Sequence, residues 1–179
     1  QAVATEIARH ELYGCTGAEM VQEMKPYHID FPNVKNNCLR FEVSPSIEES
    51  ATFTDADWAE LGNDFMQRMG LANHQYIIIR HSGTESKKEQ AHLHILANRV
   101  SLSGELYRDN WIGKKATEAA NAIAKERNFV QSQDIGKVNK AEIKEAMDGV
   151  LKKMQGFDFT KFKEELGKRG FKVREARAS

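Results

Sequence analysis

Residues 38–44, CLRFEVS, alternate: Leu39, Phe41 and Val43 fall on one face, with Arg40, Glu42 and Ser44 on the other. That period of two predicts a half-buried strand. Two further segments, QYIIIRH (75–81) and AHLHILANRV (91–100), are rich in β-branched, aromatic and aliphatic residues and predict neighbouring strands joined by residues 82–90. Between the first strand and these two the period changes. Trp58, Leu61, Phe65 and Met69 recur at helical spacing, Thr54 caps the run and Gly70 stops it. Near the start, Thr16 and Glu19 form a T-x-x-E capping box, which predicts a helix over 18–25 that Pro26 ends. SLSGELY (101–107) predicts a hairpin-like turn at Gly104.

From about Gly113 the pattern becomes helical throughout. KKATEAANAIAKERN is an alanine-rich helix, NKAEIKEAMDGVLKKM a second capped by Asn139, and DFTKFKEELGKRG a third ending at Gly170. Residues 130–138, VQSQDIGKV, read as a linker, and FKVREA as the start of a last strand. The pattern therefore divides the chain into an α+β core over 1–128 and a helical extension over 129–179.

With 179 residues, 40% of them apolar, the chain is long enough for a proper core. Charged residues make up 29% and cancel to a net charge of zero. Any attraction to nucleic acid must therefore be local, and the acidic residues gather elsewhere, in SIEES and TDADWAE. Two cysteines, Cys15 and Cys38, make neither a disulfide framework nor a metal spacing, which fits a reducing cytoplasm. No apolar run reaches the roughly 20 residues a membrane span needs. The chain opens without Met and in what reads as mid-element, so a preceding N-terminal segment is expected.

The candidate chemistry lies in IIIRHSGTESKKEQAHLHILANRV (77–100). On a strand, His92 and His94 point to the same face, about 6 to 7 Å apart, while Leu93 and Ile95 point to the other. If the two strands pair, His81 supplies a third imidazole. Three neutral imidazoles with open positions make a catalytic metal site rather than a closed structural one, able to hold a Lewis acid against a phosphate oxygen. Two histidines on a solvated strand face would give the same spacing, and the residue pattern leaves both readings open.

QYIIIRHSGTE…AHLHILANRV resembles the signature of the HUH endonucleases, in which two histidines flank one hydrophobic residue, and among them the relaxases that mobilise plasmids and integrative elements. HLHILANRV is similar to the family's H-x-H followed by aliphatics and N-R-V, and the RH after an aliphatic strand to its upstream histidine. The likeness extends over most of residues 16–174, through LRFEVSPSIEESATFTDADWAELGNDFMQRMGLANHQYIIIRH and FDFTKFKEELGKRGFKV. It implies an α+β fold, an antiparallel sheet with helices packed on one face. It also implies a metal-dependent transesterification, with Mg²⁺ or Mn²⁺ on His81, His92 and His94. A tyrosine would attack single-stranded DNA at a transfer origin in the bacterial cytoplasm and leave a 5′-phosphotyrosyl link, with accessory DNA-binding proteins as partners and no membrane. The neighbouring expectations are a rolling-circle replication initiator, a non-catalytic DNA-binding module of the same fold, and a metal-binding protein unrelated to DNA.

The sequence departs from the family in three places, one of them an insert before His92 that is longer than in many close relatives. Gly83 stands where the family carries an acidic residue, with Glu85 and Glu89 the nearest substitutes. The family's nucleophilic tyrosine lies very near the N-terminus, so the expected nucleophile is upstream of Gln1, and Tyr13 is the candidate within the chain. Tyr76 reads as core, Tyr27 as loop and Tyr107 as post-turn. Glu42 is a candidate base, or an acceptor that orients a metal-ligating histidine, its alternative an ordinary solvated glutamate. Arg80, Arg99, Lys87 and Lys88 are candidate DNA contacts, with surface ion pairs and solvated lysines as the competing account. Lys114, Lys115, Lys125 and Arg127 give the first appended helix a basic side, and Phe157 and Phe159 read as packing rather than a base-stacking platform.

Overall fold

The computed structural model describes residues 3–82 and 90–174, and at 132, 133 and 135 the backbone only. Contacts divide the chain into two compact units, residues 1–129 and 130–179.

The first unit is an antiparallel four-stranded sheet in the order β1-β3-β4-β2. The strands are β1 (Val3–His10), β2 (Cys38–Val43), β3 (His74–Ser82) and β4 (His92–Ser101). The expected α+β class, with helices on a sheet face, is what the chain adopts. Alternation decides which face each residue meets. Leu39 and Phe41 of β2, Tyr76 and Ile78 of β3, and Leu93, Ile95 and Ala97 of β4 form the main core with two helices. One is α3 (Asp55–Arg68), which contributes Trp58, Leu61, Phe65 and Met66; the other is α4 (Ile112–Glu126), which contributes Ala119 and Ile123. Gly62 lets α3 approach β3 closely: a Cβ there would lie 2.7 Å from Ile78 Cδ1 and 3.3 Å from Leu93 Cδ1.

The opposite face is covered at one end. Helix α1 (Gly17–Met24), with the predicted Thr16–Glu19 capping box, places Met20 in a small cluster with Leu12, Ile77 and, at its edge, Met24 and Ile79. Pro26 does not release the chain into a loop. It opens a 3₁₀ turn, Lys25–His28, because proline at the first turn of a helix forfeits no needed N–H. A one-turn helix α2 (Ile47–Ser50), capped by Ser46 with Glu49, occupies the break read before Thr54. Strand β1 gave no sequence signal. Its VATEIARH is poor in large apolar residues, and seven partners on β3 supply what propensity lacks, across an irregularity between Glu6 and Ala8. Gly104 forms the expected turn with φ +82°, and Ser101 and Glu105 bond across it.

In the second unit α5 spans Ser132–Leu151 and α6 spans Phe159–Lys168. Residues 132–138 are therefore helix rather than linker, and Asn139 lies inside α5 instead of capping it. Two glycines in twenty residues, Gly136 and Gly149, cost about 1 kcal/mol each, too little to break a helix whose later turns bury Ala146 and Val150 against Phe162 and Leu166. Residues 171–174 form no strand. Phe171 and Val173 pack on that helical cluster instead, and the rest of FKVREA lies outside the described residues.

Candidate metal centre

The register of β3 and β4 builds the site. His81 pairs with His92 and Ile79 with His94, so the three imidazoles stand on one face at the ends of two neighbouring strands. On the other face Ile78, Leu93 and Ile95, all fully buried, fix the backbone that carries them. Ring centroids lie 5.7 Å (81 to 92), 4.4 Å (81 to 94) and 4.9 Å (92 to 94) apart. One ring nitrogen from each falls within 4.8 Å of the others.

The hydrogen bonds select the ligand atoms. His92 is buried and its Nδ1 lies 3.2 Å from the Gln90 carbonyl. A carbonyl only accepts, so Nδ1–H donates and the lone pair is left on Nε2, the arrangement in which a metal-ligating histidine is oriented by its other nitrogen. At His94, Nδ1 lies 3.4 Å from Nη2 of Arg40, a group that only donates. Burial lowers the His94 pKa below its ordinary value, and His81, Arg40 and His92 lower it further, with Glu42 opposing. The imidazole is thereby kept neutral, the form that ligates. Among the described residues no fourth His, Cys or carboxylate joins the cluster. The donor set fits a divalent cation held by three protein nitrogens with its remaining positions open.

Other sequence candidates fall in different places. Glu42, exposed on β2, is the cross-strand partner of His94 and shares its face. Arg80 does not share it. One residue from His81 on a pleated strand, it points to the helix side and is ion-paired with Asp55 at the start of α3. Arg99 is likewise out of phase with the histidines, and it bonds the Asp109 carboxylate and the carbonyls of Tyr107 and Asn36. Lys87 and Lys88, with Gly83, Glu85 and Glu89, lie outside the described residues. Of the basic residues read on α4, Arg127 pairs with Glu60, Lys114 lies 3.9 Å from Glu118, and Lys115 sits over the Tyr107 ring.

Three of the tyrosines, Tyr13, Tyr76 and Tyr107, are bonded away from the histidines. Tyr13 follows β1 at the end where His10 pairs with Tyr76, about 17 Å along β3 from His81. It is exposed, and its hydroxyl donates to Glu11, which raises its pKa and holds the phenol neutral. Tyr76 is buried and donates to Asn63, and Tyr107 donates to the Met69 carbonyl. The other end of β1 lies at the cluster, where Ala4 pairs with His81 and Val3 with Ser82. The residue that sequence reasoning missed is Arg40. Its strand face was legible, but its place beside His94 depends on a register between segments 54 residues apart.

Residues 1–129 match the family model described as relaxase, MobA/VirD2-like, nuclease domain, the family the histidine motif resembles. No curated protein and no solved structure matches the chain.

Proposed function

The chain belongs to the relaxase family, as a MobA/VirD2-like nuclease domain over residues 1–129, and from that premise we propose that it nicks single-stranded DNA at a transfer origin by tyrosine transesterification. The observation that carries the reading is the three-histidine cluster on an open strand end, with ligand nitrogens within 4.8 Å of one another. His81, His92 and His94 would hold Mg²⁺ or Mn²⁺, which when bound supplies Lewis-acid stabilisation of charge developing on the scissile phosphate.

The protein's own groups have the remaining work. A phenol of pKa about 10 must lose its proton to attack, and Glu42, exposed beside His94, is the carboxylate placed to accept it or to orient His94. The phenolate oxygen bonds to phosphorus, the bond to the 3′ oxygen breaks, and that oxygen takes up a proton as a 3′-hydroxyl. The phosphodiester energy is retained in the 5′-phosphotyrosyl link, so the strand can be rejoined. Tyr13 is poorly placed for this role: it is held neutral at the far end of β3. The start of β1 pairs with the strand end that bears His81, Ala4 against His81 itself, so a nucleophile presented at that end of β1 would stand nearer the cluster than Tyr13. Lys87 and Lys88, between the strand ends that bear His81 and His92, are proposed strand contacts; Arg80 and Arg99 would have to give up their ion pairs to join them.

A second reading has an observation in its favour. With Tyr13, Tyr76 and Tyr107 each bonded away from the cluster, the domain would grip metal and strand without nicking. Incubation with Mn²⁺ and pooled single-stranded oligonucleotides of random sequence, followed by denaturing electrophoresis, separates the two. A metal-dependent covalent adduct that survives Tyr13→Phe places the nucleophile elsewhere in the chain, and one lost in that variant assigns it to Tyr13. Retention of the oligonucleotide without adduct supports the binding module, and no retention at all overturns the DNA reading.

A further inference from the structure

Arg40 has an arrangement the metal site alone does not explain. It stands on β2 opposite Leu96, on the histidine face, with Nη2 3.4 Å from Nδ1 of His94. Of the six other arginines of the first unit, five, Arg9, Arg68, Arg80, Arg99 and Arg127, are ion-paired to carboxylates, and among the described residues Arg108 is not. Among the described residues Arg40 forms no such pair, although exposed Glu42 lies two residues along the same strand face. A guanidinium is a poor neighbour for a divalent cation. Its charge repels one, and its N–H, aimed at the His94 lone pair, occupies an atom that could otherwise ligate. If the metal takes Nδ1, Arg40 must leave it; if the metal takes Nε2, Nδ1 must carry the hydrogen and then faces another donor. Either way Arg40 gives up His94 when a cation arrives.

Two cations side by side on an open surface are stabilised by an anion between them. Arginine is suited to this, because its planar fork matches two oxygens of a phosphate. Resting on the metal reading above, we infer that Arg40 is one wall of an anion subsite next to the histidine cluster, built to hold a phosphodiester oxygen. Without the strand, Arg40 rests on His94 and works against the metal. With the strand, it turns to the phosphate, and binding of metal and binding of DNA become mutually favourable. By linkage each must tighten the other by the same factor. Arg40 is a substrate-binding residue, and its contribution is to make metal capture depend on substrate.

This predicts an inversion of sign that a purely structural arginine would not produce. Mn²⁺ affinity is measured by calorimetry on the whole chain, with and without a short single-stranded oligonucleotide, for the wild type, Arg40→Gln and Arg40→Lys. Without oligonucleotide, Arg40→Gln binds Mn²⁺ about fivefold tighter than wild type, because a repelling charge is gone. With oligonucleotide, the tightening seen in wild type is lost in Arg40→Gln and reduced in Arg40→Lys, which keeps the charge but not the fork. Circular dichroism identical to wild type shows that the variants fold. Unchanged or weaker Mn²⁺ binding by Arg40→Gln, or coupling retained in it, overturns the inference while leaving the metal site standing. Failure of the wild type to bind Mn²⁺ overturns the metal reading and this inference with it.

Discussion

At the scale of single residues, what decides the chemistry is which face of a strand a side chain meets. His92 and His94 were legible because a spacing of two fixes a common face whatever the strand pairs with. His81 was legible only as a candidate, since its place depends on β3 and β4 meeting in the register that sets His81 against His92. Arg80 shows the opposite lesson: adjacency to His81 in sequence puts it on the opposite face, paired with Asp55. His94 carries a quantitative expectation. Its pKa is lowered by burial and then by His81, Arg40 and His92. Between its folded and unfolded values the folded state binds fewer protons, so its contribution favours the fold above the ordinary histidine range and is lost as pH falls from that range through the folded pKa. In the metal-free protein its ring protons, followed by nuclear magnetic resonance, should titrate below the ordinary value of about 6.5. A midpoint at or above that value would contradict the described surroundings of the ring.

At the scale of elements, the site depends on α3 packing against β3 and β4 on the face opposite the histidines. Gly62 is where that helix comes closest, and added bulk there meets Ile78 and Leu93, the residues behind the histidines. Gly62→Ala gains about 1 kcal/mol of helix propensity but overfills a packed core, which costs about 1–3 kcal/mol. A lower Tm, by a net destabilisation of about 1 kcal/mol, is the expected result; an unchanged or raised Tm would show that the helix-sheet contact is looser than described. Most elements could be read from sequence for local reasons. The capping boxes at Thr16 and Thr54 start α1 and α3 where predicted, and the alternation in CLRFEVS is β2. What sequence missed was decided at a distance or by neighbours: β1 exists through its pairing with β3, and α5 begins at Ser132 because later turns bury Ala146 and Val150 on α6.

At the scale of the whole molecule, each of the two compact units has its own core, the first around the sheet and the second around Ala146, Val150, Phe162 and Leu166. All three histidines, Glu42 and Arg40 belong to the first. A chain ending at Phe129 is therefore expected to bind Mn²⁺ with an affinity within about twofold of the whole chain, measured by calorimetry; loss of binding would mean the second unit contributes to the site. The neutral net charge is compatible with a DNA nuclease because attraction is needed only near the cluster, and several arginines are neutralised internally. The central claim is that His81, His92 and His94 form a metal site that works on DNA. It is tested most directly by Mn²⁺ calorimetry on the chain and on a His92→Ala/His94→Ala double variant, each with and without single-stranded DNA. One Mn²⁺ per chain, tightened by DNA and lost in the double variant, is the expected result. Equal binding by both proteins, or binding by neither, would contradict it and leave the relaxase fold without its chemistry.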